Sequence, residues 1–223
     1  MQRKNTFAVG EYYHIYNRGT DKRVIFQDEH DYNRFTILLY VANSVDSVDI
    51  SKHFSEGRSF AELLSIPQKE TLVDIGAYCL MPNHFHLLLH EKKEGGISLF
   101  MKKLATAYSM YFNKNNERSG ALFEGRFKER HADTDEYLKY LFSYIHLNPV
   151  KIIDPKWKEE GITDRVTAKK YLKEYTYSSY LDYVSKRRNE TAILNKEAFP
   201  DYFSGLGEFE QCIDEWLAYK DLV

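Results

Sequence analysis

A chain of 223 residues has room for one compact domain with an appendage, or for two small domains, which excludes a large multidomain machine. Hydrophobic residues make up 43% and charged residues 29%, the balance of a folding globular chain rather than a disordered one. No apolar run approaches the ~18–20 residues that span a bilayer, and Met1-Gln2-Arg3-Lys4-Asn5-Thr6 leads into no hydrophobic leader, so a cytoplasmic protein without membrane contact is expected. Cys79 and Cys212 are far apart and read as buried thiols, not as a disulfide framework or a zinc site. The formal charge of −2 hides an asymmetry: residues 189–223 carry −6 and the rest +4, and within that rest residues 101–130 alone carry +4. A basic patch of that size suits a phosphate backbone or, equally, a solvated helix face.

In chain order, Tyr12-Tyr13-His14-Ile15-Tyr16-Asn17 reads as a strand stopped by Arg18-Gly19-Thr20. Asp28 then caps a helix with apolar positions Tyr32, Phe35, Leu38 and Leu39. Residues 43–70 lack strong periodicity and read as an inserted loop, with a short helical turn at Phe60 to Leu64. Two strands follow, Thr71 to Cys79 and Asn83 to His90, broken at Met81-Pro82. Ile97 to Asn115 is a helix, Leu122 to Arg130 a strand with Arg126, Lys128 and Arg130 on one face, and Asp133 or Thr134 caps a last helix that ends near Asn148-Pro149. This order predicts an α+β fold: a ferredoxin-like βαββαβ antiparallel sheet with helices on one face, then an additional helix. Residues 1–156 form the expected domain, and 157–223 a C-terminal extension of undefined role, rich in tyrosine and ending acidic.

His84-Phe85-His86 is the sharpest chemical signal. On a strand, residues two apart share a face, so both imidazoles reach one ion while Phe85 anchors the core. Such a pair is also common as ordinary structure, and a third ligand would have to come from another element. The helix after Asp133 offers Tyr137, Tyr140, Tyr144, His146 and Asn148, with Tyr144 and Asn148 on one face. An asparagine oxygen is a competent hard-metal ligand.

Four blocks occur in order: Tyr13-His14-Ile15-Tyr16-Asn17-Arg18-Gly19, Met81-Pro82-Asn83-His84-Phe85-His86-Leu87-Leu88, Phe123-Glu124-Gly125-Arg126-Phe127-Lys128 and Tyr144-Ile145-His146-Leu147-Asn148-Pro149-Val150-Lys151. Together they resemble the single-tyrosine HUH transposases, in particular the REP-associated tyrosine transposases related to the smallest insertion-sequence transposases. The resemblance implies that His84, His86 and Asn148 bind a divalent ion, Mg²⁺ or Mn²⁺, although two imidazoles also accept zinc or nickel. It implies that Tyr144 is the nucleophile and forms a 5′-phosphotyrosine on single-stranded DNA beside hairpins of palindromic repeats. Asn17, Arg18, Lys22, Arg23, Lys102, Lys103, Arg118, Arg126, Lys128 and Arg130 are the candidate DNA contacts. Tyr108, Tyr111 and Phe112 read as core ahead of base-stacking groups. Relatives include both homodimers and monomers. The alternatives are a replication-initiator or relaxase nuclease and a non-catalytic binder of single-stranded DNA. The 43–70 insertion departs from the family pattern.

Overall fold

Alternating aromatic and branched residues fold Tyr12–Arg18 into β1, a central strand of a four-stranded antiparallel sheet. The computed structural model describes residues 7–46, 52–53, 56–184, 187–203, 205 and 207–218. After β1 come α1 (Glu29–Val41), α2 (Phe60–Leu64), β2 (Asp74–Met81), β3 (His84–His90), α3 (Gly96–Asn115), β4 (Lys128–His131) and α4 (Asp135–Leu147). The strands lie in the order β2-β3-β1-β4, the arrangement of a ferredoxin-like sheet.

Successive residues of the central strands serve different layers, as the two-residue period requires. Ile15, Phe85, Leu87 and Leu89 pack with Phe35 and Leu38 of α1 and with Phe100 and Leu104 of α3. Tyr108 and Phe112 belong to this core, and the Tyr108 hydroxyl donates to the Ile25 carbonyl at 2.5 Å. On the opposite face, Ala77, Cys79, Met81 and Leu88 pack against Leu138, Leu141, Phe142 and Ile145 of α4. The helix expected in addition to the one-sided layer therefore covers the second face. Each such aliphatic burial contributes about 1.5–3 kcal/mol relative to exposure.

Local chemistry sets the boundaries. Asp28 caps α1 by accepting from the Asp31 amide at 3.1 Å, and Thr134, rather than Asp133, caps α4. β2 lies farther along the chain than Thr71 to Cys79 because it is buried on both faces and a bulge between Ile75 and Ala77 resets its alternation. The fourth strand is shorter than Leu122 to Arg130: Leu122 and Phe123 turn into the core, Gly125 takes a φ of 68°, and pairing starts at Lys128. Arg126 therefore precedes the strand, while Lys128 and Arg130 share a face. Within the 43–70 insertion, a Ser59/Glu62 capping box starts α2, whose Leu63 and Leu64 are buried. Residues 47–51 and 54–55 of that insertion lie outside the described residues. Its ends are clamped by Asn43, whose side chain accepts from the Leu72 and Val73 amides at 3.1 and 3.0 Å.

The C-terminal extension covers the edge of β2, which would otherwise expose unpaired backbone. Leu80 donates to Tyr177 at 2.9 Å, Ser179 to Tyr78 at 3.0 Å, and Asn195 to Ile75 at 3.0 Å. Helices α5 (Val150–Ile153), α6 (Trp157–Glu160), α7 (Arg165–Glu174), α8 (Tyr180–Tyr183) and α9 (Glu208–Ala218) follow α4. Trp157, Leu172, Tyr180, Phe209 and Ile213 form a third cluster that includes Leu147 of α4. Cys79 is buried as expected, whereas Cys212 is only half-buried, its sulfur 3.3 Å from the Ser143 hydroxyl. Among the described residues, no helix is long and apolar enough to cross a membrane.

The extension is pinned by a buried ion pair. Arg188 donates to the Asp182 carboxylate at 2.6 Å, to the Tyr78 hydroxyl at 3.0 Å and to the Thr176 carbonyl at 2.7 Å. The Asp182 side chain is 0% exposed. Arg188→Met leaves that carboxylate without its cation, and urea denaturation should register a loss of about 3–5 kcal/mol; an unchanged midpoint would contradict the assigned role.

Candidate active site

The strand pairing brings together imidazoles far apart in sequence. His14 on β1 and His86 on β3 face the α4 side, and His14 Nε2 lies 2.8 Å from His86 Nδ1. Their rings stack with centroids 5.0 Å apart, and both are buried. Burial, helped by the cations Lys158 and Arg130, lowers the His14 pKa to about 4. Burial followed by the neighbouring His14, His84 and Lys158 holds His86 well below the ordinary range. His84 is lowered to about 4, first by burial and then by Lys151, Lys158 and Arg18. All three rings are therefore neutral near pH 7, so one nitrogen of the His14–His86 pair donates and the other accepts.

His84 lies two residues earlier on the same face, and its Nδ1 is 2.6 Å from Asn83 Oδ1. The asparagine oxygen only accepts, so Nδ1 carries the proton and Nε2 keeps a lone pair. Asn83 is itself tied to the Lys22 carbonyl at 3.2 Å. If His86 is the donor of that pair, from Nδ1, its Nε2 keeps a lone pair in the same way.

Asn148 and Tyr144 come from the end of α4, and Pro149 explains their arrangement. Proline has no N–H, so the Ile145 carbonyl lacks its usual donor four residues on. The Asn148 amide nitrogen turns back to the Tyr144 and Ile145 carbonyls at 2.8 and 3.4 Å. That fixes the amide and leaves Oδ1 as its acceptor atom beside the pocket Asn148 lines. The Tyr144 ring meets His14 and His86 edge to face, with centroids 5.6 and 5.7 Å apart. Burial raises its phenol above the ordinary range, against the opposing pull of Lys151. Tyr140 stacks next to Tyr144 and Tyr137 next to Tyr140, but neither lines the pocket that holds the imidazoles.

That pocket is open, about 580 Å³, and joins Tyr16, Asn17, His84, His86, Tyr144 and Asn148. Arg18, Lys22, Lys128, Lys151 and Lys158 supply its charge, and no carboxylate lines it among the described residues. The four predicted core residues of the site, Tyr144, His84, His86 and Asn148, are thus brought together, with Asn17, Arg18, Lys22 and Lys128. Arg18 also pairs with Glu124. Arg130 lies over the Tyr137 ring at 4.9 Å, next to the site. Arg23 donates back to the Thr20 carbonyl at 3.2 Å. Arg118 holds the turn after α3 through Asn113 and Ala121. Lys102 and Lys103 lie on α3, across the sheet from the imidazoles, where Lys103 bonds the Ser44 carbonyl at 2.5 Å. Arg126 is exposed in the bend before β4. Three site residues escaped the sequence reading as such: His14 and Lys151, visible only within their motif blocks, and Lys158, from the extension.

Among the described residues no group of three or more His, Cys, Asp or Glu is arranged to hold a metal ion. His84, His86 and Asn148 nevertheless line one pocket, and imidazole nitrogens and an amide oxygen are donor types that divalent ions accept.

A family model described as "Transposase IS200 like" matches residues 9–148, well over half the chain. Comparison with curated proteins finds no match. Among solved structures, a REP-associated tyrosine transposase bound to a REP hairpin is similar at 12% identity and a TM-score of 0.48, covering 92% of this chain and 93% of that one.

His14→Phe keeps the ring volume but strands the buried His86 Nδ1. Urea denaturation should show a loss of about 1–3 kcal/mol, and unaltered stability would mean that the His14–His86 bond is dispensable.

Proposed function

This chain belongs to the IS200-like transposase family, and we propose that it nicks and rejoins single-stranded DNA through Tyr144 as a metal-dependent enzyme. One observation carries the reading: Tyr144 shares a cation-lined pocket with His84, His86 and Asn148, whereas Tyr137 and Tyr140 do not. A pocket with five cations and no carboxylate suits a phosphate backbone.

His84 Nε2, His86 Nε2 and Asn148 Oδ1 would hold the divalent ion, Mg²⁺ or Mn²⁺. These ligands are all neutral, so the charge of the ion would be balanced by a substrate phosphate rather than by protein. When bound, such an ion polarises the phosphate and neutralises charge growing on its oxygens.

The protein's own groups do the rest. The Tyr144 hydroxyl loses its proton, its oxygen bonds to phosphorus, and the bond to the 3′ oxygen breaks as that oxygen takes up a proton. The phosphodiester energy is retained in a 5′-phosphotyrosine, so a 3′-hydroxyl can reverse the step and join strands. His14 fixes the orientation of His86, and Asn83 that of His84. Arg18, Lys22, Lys128 and Lys151 would follow the backbone, while Asn17 and Arg130 flank its path. Tyr144 faces the imidazoles of its own chain, so one copy carries every residue named here. The proposed substrate, on the resemblance of the four motif blocks, is the single strand beside a hairpin of palindromic repeats.

Labelled hairpin strands incubated with the protein and Mn²⁺ should give a covalent adduct that disappears with chelator and is reduced at least about 10⁴-fold in Tyr144→Phe, as expected when the attacking group is deleted. An adduct persisting in Tyr144→Phe would move the nucleophile to Tyr137 or Tyr140. Hairpin binding without any adduct in the wild type would favour a non-catalytic binder.

A further inference from the structure

The cation seated over the face of the Tyr144 ring comes from outside the span that matches the family. The match ends at residue 148, and Lys158 lies on α6, the short helix of the extension. Its Nζ is 4.2 Å from the centroid of the Tyr144 ring and 5.5 Å from that of Trp157. Trp157 is 2% exposed and belongs to the third cluster with Leu147 of α4. The helix bearing the lysine is therefore seated on the helix bearing the tyrosine. Neighbouring charges on α6 behave differently: Lys156 pairs with Glu160 at 2.9 Å in solvent, and Glu159 is exposed. Lys158 alone of these is half-buried and lines the pocket, and among the described residues no carboxylate pairs with it.

A half-buried ammonium without an anion is costly, because desolvation is not repaid by a partner. The cost is removed when a phosphate enters: of the pocket-lining groups His84, His86 and Asn148 are neutral and Lys151 is cationic, while the carboxylate that attracts Lys158, that of Glu159, is exposed on α6 outside the pocket lining.

Resting on the nicking reading above, we propose that Lys158 is a catalytic residue of strand cleavage, its ammonium pairing with a non-bridging oxygen of the scissile phosphate as Tyr144 attacks. Lys158 stays protonated throughout. The Tyr144 oxygen–phosphorus bond forms, the phosphorus–3′ oxygen bond breaks with its electron pair on the 3′ oxygen, and the tyrosine proton and the proton gained by that oxygen are exchanged with solvent. The ammonium acts on charge that grows in the transition state, so its loss should fall on rate more than on binding.

The test is single-turnover adduct formation on one labelled hairpin strand with Mn²⁺, alongside hairpin affinity and thermal melting, for wild type, Lys158→Met, Lys158→Arg and Lys156→Met. Lys158→Met should slow adduct formation about 100-fold while hairpin Kd changes less than about threefold, as for one phosphate contact among several. Lys158→Arg should recover most of the rate, and Lys156→Met should match wild type. A wild-type rate in Lys158→Met would overturn the proposal. So would a rate loss that Arg does not rescue, or one matched by equal losses of affinity, since each denotes a structural or merely backbone-tracking role. A wild type that forms no adduct would overturn the nicking reading itself, and this proposal with it.

Discussion

The hydrogen bond of 2.8 Å between His14 and His86 is the constraint around which the site is arranged. It joins the two central strands on the face that α4 covers, and burial keeps both rings neutral, so the pair has one proton to share between facing nitrogens. With His86 held through its Nδ1, the ring is oriented although no carboxylate lines the pocket among the described residues. The same rings give Tyr144 an edge-to-face seat at 5.6 and 5.7 Å. One strand pairing thus positions the proposed ligand His86 and the proposed nucleophile Tyr144 together, while Phe85, pointing the other way, fixes the strand in the larger core.

Holding α4 against that surface takes contacts on both its sides. Leu138, Leu141, Phe142 and Ile145 meet the sheet, and Leu147 meets Trp157, Phe209 and Ile213 of the extension. His146, between these two surfaces, is buried and lies 2.7 Å from the Ser179 hydroxyl, which in turn accepts from the Tyr78 amide at 2.9 Å. The extension therefore acts on the site mechanically, by clamping the helix, and electrostatically, through Lys158. The buried Asp182–Arg188 pair anchors the clamp to β2.

Much of the fold is legible in the chain because α3 has one buried face, α1 and α4 repeat their apolar residues at three- and four-residue intervals, and β1 is rich in aromatic and branched residues. The errors have physical causes. β2 is buried on both sides and bulged at Gly76, where a Cβ would come within 2.6 Å of the Phe199 ring, and neither feature leaves an alternation to read. The run before β4 carries apolar residues that turn inward, with a single bridge from Phe123 to Gly19 in place of a continuous ladder. At the site, Asn148-Pro149 and His84-Phe85-His86 are visible because local backbone chemistry orients them. His14 gains its role only from register with a strand 72 residues away, and Lys158 only from the docking of Trp157. Linear charge counting groups Lys102 and Lys103 with Lys128 although the sheet lies between them.

The central claim is that Tyr144 is the atom donor that joins this protein to DNA. Mass spectrometry of the protease-digested covalent adduct tests it most directly, by locating the nucleotide remnant along α4. The account predicts a phosphodiester remnant on Tyr144 with Tyr137 and Tyr140 unmodified; a remnant on either of those tyrosines, or on a residue outside the pocket, would contradict it.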